Sequence, residues 1–489
     1  MLVGIRPRTV TVLCARKKTS QRDAPATKTT PNRAIPKQHV VGIDLGTTNS
    51  ALAVIEQGRP VIVPVAPGDA RTTPSVLHVR ADGSKVIGQA AKSAGRHFPK
   101  DTLYSSKRFI GQQHTIVTKR KPRVAFDWAA APDGTVHFPL TKGVITPEEV
   151  AAHILRHLLT GAEQKGYGQI TKAVISVPAY FNEAQTEATE AAGLLAGLET
   201  VRLIREPIAA ALAYGVDAQQ DQTILVLDLG GGTFDVSLLE VGGGTIEVLA
   251  TGGDPHLGGD DWDDAIVQWL GETHLRPLGL DWKRPSAVGA LRTIAESAKR
   301  ALSASNRVQL QIPVPAYKHP SAKQSPQKPG EGPALLPLEV ILTRGQMEKL
   351  AAPLYRRMRE AIDKTCWQVG VDLEQVIEQQ SRRKQAPGKG LITPKGRLPV
   401  SEVLLVGGAT RMEGLRQLVR NMTGLDAREF VVDPDEAVAL GAAVQAGIFE
   451  GTVEDLHVMD VWQAALTRAF AAQHLTDQAT ADSGSDDEL

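Results

Sequence analysis

The chain has 489 residues, of which 42% are hydrophobic and 4% aromatic, so its length allows roughly two to four domains with aliphatic cores. Lys and Arg together number 55 and Asp and Glu number 54, a balance that excludes a strong overall field for binding nucleic acid. The two cysteines, Cys14 and Cys366, exclude a disulfide framework, and no apolar run approaches the roughly 18 residues of a membrane-spanning helix.

The first 38 residues differ from the rest of the chain in composition. They contain nine Lys or Arg and one acidic residue, Asp23, which is typical of a transit peptide. The apolar stretch TVTVLCA is too short for a secretory signal, and the sequence VLCA (12–15) resembles a plastid cleavage site. We predict a disordered transit peptide over 1–38 and a location in the chloroplast stroma, with the mitochondrial matrix or the cytoplasm as alternatives.

A strand, a turn and a second strand are predicted in VVGIDLGTTNSALAVIE (40–56). The apolar lead-in ends at an acid, and the alternating exit indicates an antiparallel partner strand. The turn between them combines a glycine, which lets a ligand approach the backbone closely, with side chains that donate hydrogen bonds. We predict a phosphate-binding hairpin formed by Asp44, Gly46, Thr47, Thr48 and Asn49.

Helices and strands alternate from residue 147 to residue 215. A helix is predicted over 147–166 with Thr146 as its N-cap, and another begins after Asn182, a good capping residue. The strand AVISVPAYF is broken by Pro178, and the strand TVRLI precedes a helix that begins at EPIAAALAYG. This alternation predicts an α/β fold in which helices cover the sheets.

The hairpin pattern returns in LVLDLGGGTFDVS (225–237). Aligned on Asp-Leu-Gly, Asp228 corresponds to Asp44 and lies 184 positions after it. An internal duplication of this kind predicts two similar lobes that face one nucleotide. An ordinary glycine-rich hairpin with exposed acids is the alternative.

The second hairpin carries the residue types that bind phosphate and magnesium. Successive backbone N–H groups of Gly230, Gly231 and Gly232 can bind an anion, and Thr233 adds a hydroxyl donor. Asp228 and Asp235 offer the oxygen ligands that Mg²⁺ prefers. No Gly-Lys-Ser/Thr follows, which excludes a P-loop, and no helix pattern opens after the last glycine, which excludes a dinucleotide fingerprint.

A long helix is predicted in PSAVGALRTIAESAKRALSAS. Within it four polar side chains are spaced by three and four residues and therefore share one face of the helix, namely Glu296, Lys299, Arg300 and Ser303. Such a face can line a purine and a ribose. A charged surface with ion pairs is the alternative.

The remaining elements complete the α/β pattern. GQMEKLAAPLYRRMREAIDKTCWQVG is predicted as one helix, SEVLLV as a strand and PDEAVALGAAVQAGIFEG as a last, amphipathic helix. Residues 317–336 and the basic residues 379–398 lack periodicity and are predicted as surface loops, with nucleic-acid binding by the basic one disfavoured. Residues 470–489 are polar and acidic, and we expect them to be disordered.

Eight stretches together resemble the ATPase domain of the heat shock protein 70 family. They follow the family order with family-like gaps over about residues 39–461, and they are GIDLGTTNS, SVPAYFNEAQTEAT, EPIAAALAYG, LDLGGGTFDVS, DPHLGGDDWD, LRTIAESAKRALS, VGGATR and PDEAVALGAAVQAG. The resemblance implies an actin-like ATPase fold (ribonuclease H-like), with two lobes of two subdomains each around a central nucleotide cleft. The implied ranges are lobe I over 39–217, lobe II over 218–412 with the insertion at 379–398, the end of lobe II and a crossing helix over 413–450, and a degenerate linker with an acidic tail over 451–489.

The resemblance implies a slow ATPase that binds ATP or ADP with Mg²⁺ and allows K⁺ as an additional ion. Catalytic roles fall to Lys107 beside the γ-phosphate and to Glu206, Thr233 and Asp235, which contact the phosphate or place the attacking water. Asp44 and Asp228 would hold the hydrated Mg²⁺. The implied nucleotide-binding residues are Gly46, Thr47, Thr48, Asn49, Gly230, Gly231, Gly232, Thr233, Glu296, Lys299, Arg300, Ser303, Gly407, Gly408, Arg411 and Asp435.

The chain departs from the family pattern where lobes and domains communicate in the family. Thr186 stands where an arginine relays the nucleotide state, and Pro255 replaces a threonine. Arg205 replaces an asparagine, near the surface that J-domain partners use. Only 29 residues follow Asp460, where complete members carry a peptide-binding domain, so we expect a truncated member.

The expected function is that of a monomeric, ATP-binding and slowly ATP-hydrolysing chaperone-like protein. It would assist unfolded proteins only indirectly, through a J-domain co-chaperone and a nucleotide exchange factor. A nucleotide-dependent regulatory or scaffold module without chaperone activity is the alternative. A sugar or metabolite kinase on the same fold is disfavoured, because the water-handling acids of the family are present and an acceptor pocket is not evident.

Overall fold

A computed structural model provides the structure of the chain. It describes residues 40–95, 97–120, 122, 124–320, 335–373, 399–428, 432–451 and 457–458. The predicted transit peptide, the basic insertion at 379–398 and the acidic residues 470–489 lie outside the described residues.

The described residues form nineteen strands and eleven α-helices. The strands are β1 (Val40–Asp44), β2 (Asn49–Glu56), β3 (Arg59–Ile62), β4 (Thr73–Pro74), β5 (Val76–Val79), β6 (Lys85–Ile87), β7 (Thr102–Tyr104), β8 (Ala129–Ala130), β9 (Val136–Pro139), β10 (Val144–Ile145), β11 (Lys172–Val177), β12 (Thr200–Arg205), β13 (Gln222–Leu229), β14 (Phe234–Gly242), β15 (Thr245–Asp254), β16 (Arg307–Pro315), β17 (Leu335–Thr343), β18 (Val400–Val406) and β19 (His457–Val458). The helices are α1 (Gln89–Ala94), α2 (His114–Arg120), α3 (Pro147–Ala162), α4 (Glu183–Leu195), α5 (Glu206–Ala213), α6 (Gly259–Leu270), α7 (Pro285–Ala304), α8 (Arg344–Leu350), α9 (Ala352–Gln368), α10 (Glu413–Thr423) and α11 (Ala437–Phe449). Among these helices, none is both long and apolar enough to cross a membrane.

Two sheets built on the same plan form the centre of the structure. In the first, the order is β12-β11-β1-β2-β3, with β12, β11 and β1 parallel and β1, β2 and β3 antiparallel. In the second, the order is β18-β13-β14-β15-β19, with β18 parallel to β13, with β13, β14 and β15 antiparallel, and with β19 parallel to β15. We call the first sheet with β4–β10 and α1–α4 lobe I, and the second sheet with β16, β17 and α6–α10 lobe II.

The duplication predicted from the two hairpins is present in their strand register. Asp44 lies opposite Ala51 in the first hairpin, and Asp228 lies opposite Asp235 in the second. Both acids therefore occupy the same place near the end of their strands. The antiparallel partner strands inferred from the alternating exits are confirmed in both copies.

Helices α5 and α11 pack between the two sheets. Helix α11 contacts β1, β2, β3 and β11, while α5 contacts strands of both sheets. A Cβ atom on Gly441 would overlap the carbonyl oxygen of Ala209, and one on Gly42 would overlap the backbone of Ala443. Because glycine lacks a Cβ, α11 can approach both α5 and strand β1 at backbone contact. The two helices thereby join the sheets through one apolar cluster.

The predicted starts of α3 and α4 are confirmed by their caps. The Thr146 hydroxyl accepts from the Glu149 backbone N–H at 3.1 Å, and the Glu149 carboxylate accepts from the Thr146 N–H at 2.8 Å. Asn182 and Gln185 form the same reciprocal pair. Such capping boxes satisfy the N–H groups that a helix start leaves unpaired. The α-helical part of the predicted helix over 147–166 ends at Ala162 and continues as a π-helical turn.

The last helix was predicted to be amphipathic, and this prediction is wrong. Helix α11 has buried residues on every side, including the polar Gln445, because it lies between the sheet of lobe I and α5. A helix that is apolar all round is a core helix.

Two further predictions are wrong in lobe II. The single helix predicted over GQMEKLAAPLYRRMREAIDKTCWQVG is two helices, α8 and α9, which meet at Ala351 with φ −86° and ψ 0°. Pro353 follows in the first turn of α9, where its missing N–H is tolerated. The loop predicted over 317–336 ends earlier, because Leu335 and Leu336 already belong to β17, which pairs with β16. Residues 321–334 of that loop lie outside the described residues.

Two residues of the predicted linker over 451–489 add a short edge strand to lobe II. His457 and Val458 form β19, which runs parallel to β15 at Thr245 and Ile246. The neighbouring residues 452–456 and 459–489 lie outside the described ranges.

Candidate functional site

The turns of the two duplicated hairpins face each other across a cleft. A Cβ atom on Gly231 would lie 2.7 Å from the hydroxyl oxygen of Thr48. The second turn is closed by the Gly230 N–H, which donates to the carbonyl of Thr233 at 3.1 Å. Because a glycine stands at this close approach, the two turns can come together without a side-chain clash and no side chain covers its backbone N–H group.

The start of helix α6 supports the second turn from behind. The N–H of Gly259 donates to the carbonyl of Gly230 at 2.9 Å, and the N–H of Asp260 donates to the carbonyl of Gly231 at 2.8 Å. These bonds hold the turn carbonyls away from the cleft, so an anion meets donors rather than acceptors there.

Three carboxyl groups line the floor of the cleft, and their pKa values are raised. Burial raises the pKa of Asp44 to about 6, with the charge of Lys107 opposing this rise. Burial, followed by the charge of Glu206, raises the pKa of Asp235 to about 7. Burial and the three neighbouring acids raise the pKa of Asp228 well above its usual range. A bound cation would offset this repulsion and hold the three groups in their charged forms.

Lys107 and Glu206 form a buried ion pair beside these acids. Lys107 lies on the short 3₁₀ turn Ser106–Arg108, and Glu206 is the first residue of α5. The distance from Nζ to Oε1 is 2.6 Å, and the two side chains are 6% and 13% exposed. Lys107 also lines a cavity of 60 Å³ together with Thr47, Pro178, Tyr180, Phe181 and Thr233.

The donor set fits a hydrated magnesium ion. Asp44 and Asp228 come from facing hairpins, and Asp44 Oδ1 accepts a hydrogen bond from Ser176 Oγ at 2.8 Å. Within the described ranges, no group of three or more His, Cys, Asp or Glu side chains is placed to hold a metal ion. Mg²⁺ commonly takes one or two carboxylates from the protein and completes its coordination shell with water and phosphate oxygens. Two carboxylates are therefore enough protein ligands for this ion.

The turn after β18 lies close to Asp435 and to the charged side of helix α7. A Cβ atom on Gly408 would lie 2.5 Å from a carboxylate oxygen of Asp435, and Arg411 Nη2 lies 3.6 Å from the other one. The charge of Arg300 also acts on Asp435. Gly407, with φ +82°, packs against Asp228, so this turn reaches the acidic floor as well.

The predicted polar face of α7 is only partly directed to the cleft. The ammonium group of Lys299 donates to Asp263 at 2.9 Å and to the carbonyl of Gly259 at 2.8 Å, both on α6. Glu296 and Arg300 lie 3.8 Å apart as an ion pair, as in the alternative of a charged surface. Ser303 is half-buried. Arg300 is the member of this set whose charge acts on Asp435, the acid beside Gly408.

Sequence reasoning missed Arg108. Its guanidinium donates to the carbonyl of Gly232 at 2.5 Å and so links lobe I to the turn of the second hairpin. It lines the 60 Å³ cavity and also a larger one of 440 Å³ at the mouth of the cleft, which Thr47 and Thr48 border. The signal that could have found it is its position directly after Lys107. Tyr180 was also missed, although it lies within a quoted motif. It lines the 60 Å³ cavity and also a second, smaller cavity that Glu206 and Asp235 border.

The three departures from the family pattern have definite surroundings. Arg205, expected near the surface that J-domain partners use, is only 5% exposed and donates to two backbone carbonyls. Thr186 donates to the Asn182 carbonyl at 2.8 Å within the first turn of α4. Pro255 lines the same cavity as Lys107.

Two lobes of duplicated topology, a cleft between their hairpin turns, and acids with a buried lysine at its floor define a two-lobed protein of the actin-like fold. The family profile described as Hsp70 protein matches residues 40–379 and 397–479. The chain therefore belongs to the Hsp70 family, whose members are chaperone ATPases.

Individual relatives agree with this assignment. The chain is 42% identical over 427 residues to the chaperone protein DnaK of Thermus thermophilus, a match that covers 87% of this chain and 63% of that protein. It is 41% identical over 430 residues to the chaperone protein dnaK of Cyanidioschyzon merolae, covering 87% of this chain and 64% of the relative. Heat shock 70 kDa protein 7, chloroplastic, of Arabidopsis thaliana is 39% identical over 435 residues, covering 88% and 55%. The chain thus spans less than two thirds of the length of these relatives.

Proposed function

We propose that the chain binds ATP with Mg²⁺ in the cleft and slowly hydrolyses it to ADP and phosphate. The observation that carries this proposal is the Lys107–Glu206 ion pair beside the acidic floor and the glycine turns. Phosphoryl transfer to water needs a fixed positive charge at the transferring group and a water held in line with it. Lys107, Thr47 and Thr233 line one 60 Å³ cavity, and Glu206, Asp228 and Asp235 line a second, smaller one.

The residues of the chain have separate tasks in this reaction. The N–H groups of the two turns and the Thr233 hydroxyl bind phosphate oxygens, and Asp44 and Asp228 would hold Mg²⁺, which supplies charge neutralisation when bound. Lys107 stabilises the negative charge of the transferring phosphoryl group. Glu206 and Asp235 orient the attacking water and accept its proton as the new O–P bond forms and the bond to ADP breaks.

The nucleoside would lie between the Gly407–Gly408 turn and helix α7. Arg411 contacts Asp435, whose carboxylate lies beside Gly408, and the charge of Arg300 acts on the same acid. We assign the predicted contacts of Glu296, Lys299 and Ser303 with the nucleoside to the same site. Lys299 would contact the nucleoside once its ion pair with Asp263 is broken. K⁺ is the additional ion that the acids at Glu206 and Asp235 could hold, and activity in KCl against NaCl tests this assignment.

The cellular role that we propose is assistance to protein folding through partner proteins. The relatives are chaperones, so a J-domain co-chaperone and a nucleotide exchange factor are the partners proposed for this chain. The relative from Arabidopsis thaliana is named chloroplastic, and together with the composition of residues 1–38 this supports a plastid location. A fluorescent fusion of residues 1–45 that stayed in the cytosol would contradict that location.

The experiment that tests the ATPase proposal is single-turnover hydrolysis. The full chain is mixed with substoichiometric Mg²⁺-ATP, and ADP is quantified with and without a plastid J-domain protein. We expect slow hydrolysis that the J-domain protein accelerates. Binding of ATP without any hydrolysis, together with failure to suppress aggregation of an unfolded client, would instead indicate a regulatory module.

A further inference from the structure

Arg205 lies directly before Glu206 in the chain, but its side chain points into the protein interior. It is the last residue of β12, and its backbone pairs with Val177 at the end of β11. The residue is only 5% exposed. A buried guanidinium is unfavourable unless hydrogen bonds replace its water, so its contacts identify its task.

The guanidinium of Arg205 holds both ends of the loop that follows β11. Its Nη1 atom donates to the carbonyl of Pro178 at 3.1 Å and to the carbonyl of Phe181 at 3.1 Å. The N–H of Phe181 also donates to the Pro178 carbonyl, which closes the loop as a turn. Hydrogen bonds from a charged donor are stronger than neutral ones, so this loop is fixed to the end of β12.

The same loop forms one wall of the site where Lys107 lies. Pro178, Tyr180 and Phe181 line the 60 Å³ cavity together with Lys107. The Phe181 ring centroid lies 5.9 Å from Lys107 Nζ, within the range of a cation–π contact. Movement of the loop would therefore displace the lysine from its place beside Glu206.

We infer that Arg205 is a positioning residue for ATP hydrolysis, which acts by clamping the loop Pro178–Phe181 against the end of β12. The clamp keeps Lys107 and Glu206 in their positions beside each other. Glu206 is positioned because it directly follows Arg205, and Lys107 is positioned because the loop contacts it. Arg205 does not line the cavity itself. The inference rests on the proposed ATPase function.

The test compares Arg205→Ala and Arg205→Lys with the wild-type full chain. Single-turnover rate constants are measured with substoichiometric Mg²⁺-ATP and the protein at a concentration well above the Kd, and the Kd for Mg²⁺-ATP is measured separately by titration. Because a misplacement of about 1 Å can cost ~100-fold in rate, we expect Arg205→Ala to slow hydrolysis about 10- to 100-fold and to change the Kd less than about twofold. Arg205→Lys, or ethylguanidinium added to Arg205→Ala, restores a part of the rate, because each returns a cationic donor to the two carbonyls.

Arg202→Ala is the matched control. Arg202 lies on the same strand and carries the same charge, but it is exposed and contacts the ring of Phe449 at 5.4 Å. It should keep the wild-type rate. Equal loss of binding and turnover in Arg205→Ala, or no recovery with either Arg205→Lys or ethylguanidinium, would overturn the inference and assign a general packing role. If the wild-type chain hydrolyses ATP and Arg205→Ala does so at the same rate, the inference is overturned and the proposed function stands. If the wild-type chain does not hydrolyse ATP, both the proposed function and the inference are overturned.

Discussion

The ammonium nitrogen of Lys107 lies 2.6 Å from a carboxylate oxygen of Glu206, although the two residues are 99 positions apart in the chain. The first lies on a short turn after β7 and the second begins helix α5. Both side chains are almost withdrawn from water, so each charge depends on the other for stabilisation. Removal of either side chain therefore leaves the other as an unpaired buried charge.

Lys107→Ala should abolish hydrolysis while leaving ATP binding nearly intact. A charge that acts on the transferring phosphoryl group contributes more to the transition state than to the ground state, and its loss costs about 100- to 1000-fold in rate. The variant should also unfold at a lower temperature, because Glu206 is left as an unpaired buried charge. Single-turnover kinetics and ATP titration measure the two effects. Lys119→Ala, at an exposed position on α2, is the control, and equal losses of binding and turnover would show Lys107 to be a binding residue.

Mg²⁺-ATP should raise the melting temperature of the full chain, and Asp228→Ala should remove most of this rise. A ligand present at 100 times its Kd stabilises the native state by about 2.7 kcal/mol. Asp228 carries one of the two oxygens that would hold the metal, so both binding and hydrolysis depend on it. Thermal unfolding with and without Mg²⁺-ATP measures the shift. Asp363→Ala, on the exposed side of α9, should keep the full shift, and an equal shift in Asp228→Ala would argue against its role as a ligand.

Gly441→Ala should destabilise the chain strongly. The added Cβ would overlap the carbonyl oxygen of Ala209, so α11 and α5 would have to move apart. Overpacking of a tight interior costs roughly 1–3 kcal/mol, and a clash with backbone leaves little room for relaxation. Urea unfolding measures the loss. Gly289→Ala on α7 is the matched control, because nothing lies within 4 Å of its added Cβ and alanine favours a helix. Similar stabilities of the two variants would contradict the close crossing.

The thiol of Cys366 should be unreactive in the native protein. It is completely buried, and burial raises its pKa to about 12, so almost no thiolate exists at pH 8. In a Cys14→Ser background, maleimide labelling at pH 8 should be negligible for the folded chain and complete after denaturation. Labelling of the folded chain at the rate of a free thiol would show that α9 opens readily.

Much of the fold was readable from the sequence because its signals are local. The two hairpins follow from an apolar strand, a glycine turn and an alternating exit, and each of these lies within about fifteen neighbouring residues. The starts of α3 and α4 follow from Thr146 and Asn182, which bond to residues three positions later. The order of the motifs then indicated the family and its expected nucleotide residues.

Other features could not be read from local signals, because their partners are distant in sequence. Helix α11 has the small and apolar residues of a core helix, but only its place between a sheet and α5 explains why no face is polar. Lys299 shares a helix face with Arg300, yet it bonds to Asp263 on α6 while Arg300 acts on Asp435.

The sequence by itself determined the duplicated hairpins, the acids near their strand ends and the capped helices, because hydrogen bonding and side-chain alternation between near neighbours specify them. Only the tertiary structure decided which charges meet. Arg205 and Glu206 are adjacent, but one enters the interior to hold Pro178 and Phe181 and the other pairs with Lys107. The direction of each side chain depends on what the sheets and helices bring against it, and burial makes each such contact decisive because an unpaired charge there is unstable.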